Sequence, residues 1–457
     1  MPVFLEAWGS GQNALYSYLM IPFIKLFGLN IITTRLPMVI LGCISLIVWY
    51  YLLKNIKNER FALIGLVFLC ICPWHIMKSR WGLESNIFPE LVLMAITLIV
   101  MYLKTNKIYK LYIAMVVLGL TGYAYGTAYL FLPVFCLILF SYLLYKHKIN
   151  IKEAIISFLI IFIIALPIML YVIINTFDLQ QINLGFMTIP RLPVNRYESE
   201  TTLFEGDILI SFLRNFKDSI KLLIIQNDGL IWNSIPEIGI YYIISIPFLI
   251  IGLLCSFDKK INKVEYEYVI NIWFISAFLL MFVFKQANIN RINILIFPTI
   301  YYIIKGIYYV MKMKKKVINS IIIILYITSF CKFMFYYTKT DLNKNYTFTD
   351  NIKEVIEYVD KLDVEKVYIQ YAFKEPYIYV LYYTNYNPYD FINTARYFRN
   401  EISFDNIKEF GKYKFYIPEE KNEKNVCYVL KKNNNLHLDE KEFKVIEFKD
   451  YVVLEAN

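Results

Sequence analysis

Histidine and charge are both scarce in this chain of 457 residues, which has three histidines and only 18% Asp, Glu, Lys and Arg together, against roughly 25% in an average soluble domain. The histidines, His75, His147 and His437, lie far apart, so no metal cluster is expected. No HExxH, P-loop or GxGxxG pattern occurs, which excludes zinc-peptidase, nucleotide-triphosphate and dinucleotide chemistry of the familiar kinds. Of seven cysteines, Cys43, Cys70, Cys72, Cys136, Cys255 and Cys331 fall in apolar runs and only Cys427 in the polar C-terminal part, so no disulfide framework follows. No internal repeat is found.

What is present in excess is apolar surface: 58% hydrophobic residues, 18% aromatic and a mean hydropathy of +0.48. This is the composition of a membrane protein. Apolar runs occupy 34–54, 60–76, 86–104, 109–124, 128–145, 153–176, 238–255, 267–285, 292–311 and 317–337. Most approach the roughly 20 residues that cross a bilayer core. The fold class expected is therefore membrane all-α, with about ten transmembrane helices and a small C-terminal extracytoplasmic α/β domain.

Basic residues gather in alternate loops: Lys54, Lys57 and Arg60; Lys104, Lys107 and Lys110; Lys146, Lys148 and Lys152; Lys259, Lys260 and Lys263; Lys312 and Lys314 to Lys316. Short basic loops stay in the cytoplasm. The intervening segments, 177–237 among them, then face outward, as do the N-terminus and everything from 338. The net charge of +10 is accounted for by this bias and gives no reason to expect nucleic acid as a partner. Three segments result: an outer loop and interfacial helix at 1–33, whose stretch Tyr16 to Phe27 suits the membrane surface; a polytopic part at 34–337; and a soluble domain at 338–457. In the last, KVYIQY (366–371), KFYIP (414–418), VCYVL (426–430) and FKVIEF (443–448) read as strands, 350–361 as helix, and KKNNNLHLDEKE (431–442) as a solvated loop. An outward N-terminus with no apolar run before it leads us to expect that the chain starts at an internal methionine, after a lost first helix.

The outer face carries the chemistry. In CPWHIMKSRWGLESN (72–86), Trp74, His75, Lys78, Arg80, Trp81, Glu84 and Asn86 crowd one turn between apolar runs, and Glu90 follows. Snorkelling cations and an aromatic belt would explain any one of these. Their concentration suggests a substrate path instead. YAYGTAYLFLP (123–133) adds Tyr125; TIPRLPVNR (188–196) adds Arg191 and Arg196; QNDGLIWN (226–233) adds Gln226 and Asp228; NINRINILIFP (288–298) adds Arg291. Arginine suits a phosphate, which it grips with paired hydrogen bonds; Tyr and Trp suit a sugar or an isoprenoid tail.

In order, GSGQNALYSYLMIPFIKLFG (9–28) with Gln12, TTRLP (33–37), PWHIMKSRWGLESN (73–86) and YAYGT (123–127) resemble the polytopic GT-C glycosyltransferases, the superfamily of protein O-mannosyltransferases and lipid A aminoarabinose transferases. The likeness runs from residue 1 to about 337. It implies transfer of a sugar from a polyprenyl-phosphate carrier to an acceptor of the cell envelope (polymer, lipid or protein) at the outer face of a bacterial plasma membrane. Polyprenyl-phosphate sugar is then the donor, and a divalent cation is compatible with the chemistry. The family's base is an acidic residue in the first outer loop, ahead of the matching segment, so the chain as written is expected to lack it and inactivity stays open; Glu6 is the only acid in the first segment. The resemblance gives Arg80 a substrate-holding role and Glu84 a sugar-binding or loop-orienting one, with a mutual Arg80–Glu84 brace equally admissible. It sets Arg291, seven residues before Pro298, beside the lipid phosphate, although Ile292 stands where the family has tyrosine. Trp74, His75, Lys78, Gln12, Tyr125, Arg191, Gln226 and Asp228 complete the candidate substrate contacts. Two other classes remain in view: a lipid-linked saccharide polymerase or flippase, which should line its path with charges where these helix interiors show few, and a non-catalytic membrane scaffold.

Overall fold

The computed structural model describes residues 2–5, 11–192, 201, 207–257, 266–313, 315–339, 351–371, 375–398, 407–418, 423–432 and 443–456. They fall into two compact units, the first built mainly from residues 32–340 with the N-terminal hairpin, the second mainly from residues 341–457.

In the first unit, strands Phe4–Leu5 and Gln12–Asn13 pair antiparallel. Helices follow: α1 Leu15–Phe27, α2 Ile31–Ile56, α3 Glu59–Ile71, α4 Pro73–Ser79, α5 Glu84–Thr105, α6 Ile108–Thr121, α7 Ala128–Tyr145 and α8 Ile151–Thr176. Further along the chain come helices Ile208–Ile225, Ile246–Phe257, Glu267–Leu279, Ile296–Lys312 and Lys316–Lys339. Each expected apolar run contains a helix. Among the described residues six are long and apolar enough to cross a membrane, and the bent pair α3–α4 makes a seventh; the runs at 109–124, 238–255 and 267–285 give shorter apolar helices. The amphipathic helix Ile208–Ile225 lies inside segment 177–237, where a loop is expected from sequence.

The chain dictates these ends locally. Asn58 caps α3, its side chain accepting the Phe61 N–H at 2.9 Å, and Asn150 opens α8 with a reciprocal capping box to Glu153. At Cys72 the span breaks. Cys72 takes extended angles (φ −69°, ψ 121°), as a residue before proline prefers, and α4 departs from α3 at 60°. A proline also removes a donor, so carbonyls and N–H groups are left over inside an apolar bundle. Segment 238–242 supplies their partners: the Trp74 N–H donates to the Ile240 carbonyl at 2.9 Å, the Cys72 thiol donates to the same oxygen at 3.3 Å, and the Tyr242 hydroxyl donates to the Ile71 carbonyl. The first five residues of the expected run 238–255 are thus a repairing loop rather than helix.

Elsewhere the helices are held close by small residues. A Cβ on Gly252 would stand 1.8 Å from the Tyr302 carbonyl oxygen, so helices Ile246–Phe257 and Ile296–Lys312 approach backbone to backbone. Beside that crossing, the buried Lys305 and Glu267 form an ion pair, with Ser256 accepting from Lys305 at 2.8 Å and donating to Glu267 at 3.1 Å. Together with Lys78 and Glu90 below, it corrects the expectation of helix interiors nearly free of charge: the charges are there, buried as pairs.

The second unit is a seven-stranded mixed sheet in the order 443–447, 451–456, 426–431, 366–369, 413–414, 407–410, 396–397. Strand Lys366–Ile369 runs parallel to both its neighbours. Helix Ile352–Asp360 buries Ile352, Val355, Ile356 and Val359, one helical face, with Val367, Ile369 and Val453 in the same core. Expected strand 414–418 shrinks to Tyr413–Lys414, and strands 407–410 and 451–456 had not been anticipated. Most of the polar run 431–442 lies outside the described residues. Glu423 accepts from Lys366 at 2.9 Å and from the Tyr368 hydroxyl at 3.0 Å; the lysine holds its carboxyl below the usual range.

Replacing Tyr242 by phenylalanine is expected to lower unfolding stability in detergent by about 1–3 kcal/mol, because the Ile71 carbonyl loses its donor in an apolar setting. Tyr389→Phe, at an exposed position of the second unit, serves as the control; an equal, negligible effect from both would mean that segment 238–242 does not secure the break.

Candidate functional site

The bent span puts a short polar helix where a continuous one would be apolar. Trp74, His75 and Lys78 of α4 are all buried. Lys78 meets the Glu90 carboxylate of α5 in an ion pair, and its ammonium lies 3.9 Å from the Trp74 ring centroid and 4.6 Å from that of Phe297. Two aromatic faces and one counter-charge replace the water that a lysine needs. His75 Nε2 shares a 2.8 Å hydrogen bond with Ser45 Oγ of α2, and Ser45 donates to the Gly42 carbonyl at 2.7 Å. Gly42 admits this approach: a Cβ there would come within 2.3 Å of Ser79 Oγ.

Above this layer, three segments converge. Trp81, after α4, meets Trp232 edge-on at 6.4 Å. Asn293 donates to the Ser85 carbonyl at 2.7 Å. The Asp228 carboxylate accepts from Leu230 N at 3.0 Å, from Asn233 Nδ2 at 2.7 Å and from Ile289 N at 3.0 Å. The turn bearing Arg80 and Glu84, the segment 226–233 and the segment bearing Arg291 are therefore neighbours. Arg80 is exposed, its guanidinium 5.1 Å from the Tyr337 ring centroid. Glu84 opens α5 half-buried, where the helix dipole favours an anion. Arg291 turns back on its own loop, donating to the carbonyls of Lys285 and, at 3.1 Å, Gln286.

A second neighbourhood forms under the N-terminal hairpin. Asn13 donates to the Gly122 carbonyl at 2.8 Å and the Tyr129 hydroxyl at 2.7 Å, bringing Gln12 near the turn that holds Tyr125; both are half-buried. Val3 N donates to the Thr188 carbonyl at 2.9 Å, so segment 182–192 joins the same region. Its Arg191 is exposed and paired with Asp178. The candidates thus gather in two neighbourhoods, Arg80, Glu84, Arg291, Gln226 and Asp228 with Trp74, His75 and Lys78 in one and Gln12, Tyr125 and Arg191 in the other, which adjoin where Gly82 lies against the Tyr16 hydroxyl. Arg196 and Glu6 lie outside the described residues.

The environments also sort the candidates by task. Gln226 is buried and brackets the loop, donating to the Tyr242 carbonyl at 3.2 Å and accepting from Tyr241 N at 3.0 Å; with Asp228 it fixes backbone. Lys78 and His75 sit below the surface layer. Arg80 alone of the first group combines exposure with a guanidinium, the group suited to phosphate. Sequence reading named Lys78 without its partner: Glu90 lies twelve residues on, on another helix, and its signal was a carboxylate inside an apolar helix. Among the described residues no three His, Cys, Asp or Glu side chains gather as a metal site would require.

Residues 13–173 match the family model described as dolichyl-phosphate-mannose-protein mannosyltransferase, a segment that holds α1 to α7 whole, most of α8 and the 73–86 turn. No curated protein matches the chain. Among solved structures, ArnT from Cupriavidus metallidurans in the apo state is 12% identical with a TM-score of 0.46, over 97% of this chain and 87% of that one. The same protein bound to undecaprenyl phosphate is 12% identical at 0.44, over 66% and 52%. The apo oligosaccharyltransferase of Archaeoglobus fulgidus is 14% identical at 0.45, over 85% and 58%. The chain thus spans little more than half the length of the last two. At scores this low the likenesses carry no argument.

Because a single member of a buried ion pair is costly to remove, Lys78→Met should destabilise the protein by about 3–5 kcal/mol, and adding Glu90→Leu should recover most of that loss. Thermal unfolding in detergent measures both; a double variant no better than the single one would show that the two charges do not depend on each other.

Proposed function

We propose, from the premise that over residues 13–173 the chain has the sequence pattern of the GT-C type of polytopic glycosyltransferase, that it transfers a sugar from a polyprenyl-phosphate carrier to an acceptor of the cell envelope. The family match carries this reading, because it contains the whole 73–86 turn. The gathering of Arg80, Glu84 and Arg291 around one end of the bundle supports it.

The reaction breaks the bond between the anomeric carbon and the carrier phosphate while the acceptor oxygen forms its bond to that carbon and gives up a proton. The departing polyprenyl phosphate gains negative charge as the bond breaks. Cations fixed beforehand around it lower the barrier, since they need not reorganise. Arg80 fits that task by its exposure, and Arg291 by its place in the adjoining loop once its guanidinium leaves the carbonyls of Lys285 and Gln286 for a phosphate. Glu84 serves to hold sugar hydroxyls. Lys78, His75 and Trp74 act from below: they fix the slope of α4 and so the position from which Arg80 projects. We assign no residue as the base that takes the acceptor's proton.

The basic loops orient this face outward, placing the 80–84 turn and the C-terminal unit on the extracytoplasmic side of a bacterial plasma membrane. With about ten crossings, the short apolar helices Ile108–Thr121, Ile243–Ser256 and Glu267–Phe282 count as spans.

In lipid nanodiscs, Arg80→Ala and Arg291→Ala should each weaken binding of undecaprenyl phosphate by about tenfold or more, the worth of a charge-assisted contact; unchanged binding in both variants would remove the phosphate-holding role. For orientation, a membrane-impermeant thiol reagent applied from outside should reach a cysteine placed at 84 and not one placed at 107. The reverse pattern would overturn the topology.

A further inference from the structure

Helix Ile208–Ile225 sits outside the machinery just described, and its residues sort into stripes. Ser211, Asn215, Ser219 and Leu222 are buried. Asn215 donates to the Phe282 carbonyl at 3.0 Å, Ser219 to the Met281 carbonyl at 3.4 Å, and Phe216 stacks on Phe282 at 4.5 Å. Because Leu280–Phe282 ends the apolar helix that begins at Glu267, which counts as a span in the proposed topology, these contacts pin helix 208–225 at the end of that span.

Three of the four fully buried residues are polar, whereas the most exposed stripe is apolar. Leu209 is 72% exposed, Leu213 59% and Ile224 55%. The adjoining stripe carries Arg214, Lys217 and Lys221, all exposed, with Asp218 the one acid on the helix. Four charges in eighteen residues are too many for a span. The arrangement inverts that of a soluble surface helix, which would turn its leucines inward.

We propose that this face is a docking surface for anionic lipid head groups, with Leu209, Leu213 and Ile224 entering the acyl boundary and Arg214, Lys217 and Lys221 meeting the phosphates. Two observations favour lipid over a protein partner: the helix is tied to the end of a membrane helix, where the bilayer surface is the nearest neighbour, and a basic stripe beside an apolar one is the pattern that binds an anionic interface. The inference does not rest on the transfer reaction and holds for an inactive chain equally.

The test uses the full chain. Phosphatidylglycerol or phosphatidylcholine is titrated into the detergent-solubilised protein while its thermal midpoint is followed. Half-saturation with phosphatidylglycerol should come at a concentration at least tenfold lower than with phosphatidylcholine, and Lys217→Glu with Lys221→Glu should erase that preference, at roughly fivefold per cation. Independently, a fluorophore on Leu213→Cys, read against the unsubstituted chain, should be quenched in proteoliposomes by lipids carrying a nitroxide near the head group. This second measurement keeps all native charges, so it stands even if the charge variant fails to fold. Equal half-saturation by the two lipids would overturn the proposal. So would a label at 213 that responds only to an aqueous quencher, or to neither quencher, the latter pointing to a protein contact on this face.

Discussion

A backbone cannot leave its N–H and C=O groups unpaired inside hydrocarbon, and that constraint governs the bundle at one point above all, the break at Cys72–Pro73. Proline ends α3, extended angles at Cys72 turn the chain, and a seven-residue helix starts in a new direction. The groups released are taken up by Ile240 and Tyr242. Gln226 in turn holds Tyr241 and Tyr242 in place, and Asp228 ties the same loop to Ile289. The packing of segment 226–242 and of the loop at Ile289 is thus a consequence of the break.

Buried charge obeys the same logic at higher stakes. Lys78 with Glu90 and Lys305 with Glu267 are separate pairs. The first adds two aromatic faces, the second a serine hydroxyl between the partners. Charges neutralised in place brace helices against one another and do not mark out a route for a moving ion, which bears on the transporter alternative more directly than a count of charged residues does. The polar helix α4 stays at its slope because each of its inward side chains has something to meet.

The sequence was informative where one physical signal dominates. Long apolar runs located the helices, and basic loops divided them, because both patterns are averaged over many residues. The turn at 73–86 stood out by its density of Trp, Arg, Lys and Glu. What escaped notice was pairwise. Glu90 stands apart in sequence from its partner Lys78; Lys305 drowned in the hydropathy of its run; and the groups that Gln226 and Asp228 bind, backbone up to 61 residues away and the Asn233 side chain, leave no local signal. Helix 208–225 was missed because its apolar and basic residues interleave into neither a span nor a soluble amphipathic face. In the C-terminal unit, strands 426–431 and 366–369 were legible from their aromatic and β-branched composition, whereas 407–410 takes its state from the strands beside it.

The reach of the repair at Cys72 sets a limit on what counts as a unit in this chain. The segment that matches the mannosyltransferase family ends at residue 173, but the acceptor of the Trp74 N–H is Ile240 and the donor to Ile71 is Tyr242. During synthesis α3 and α4 therefore enter the membrane before their partners exist, and the break must borrow water or translocon contacts until segment 238–242 arrives. Cut at its recognisable boundary, the segment would keep its signature and lose the clasp that holds its central bend.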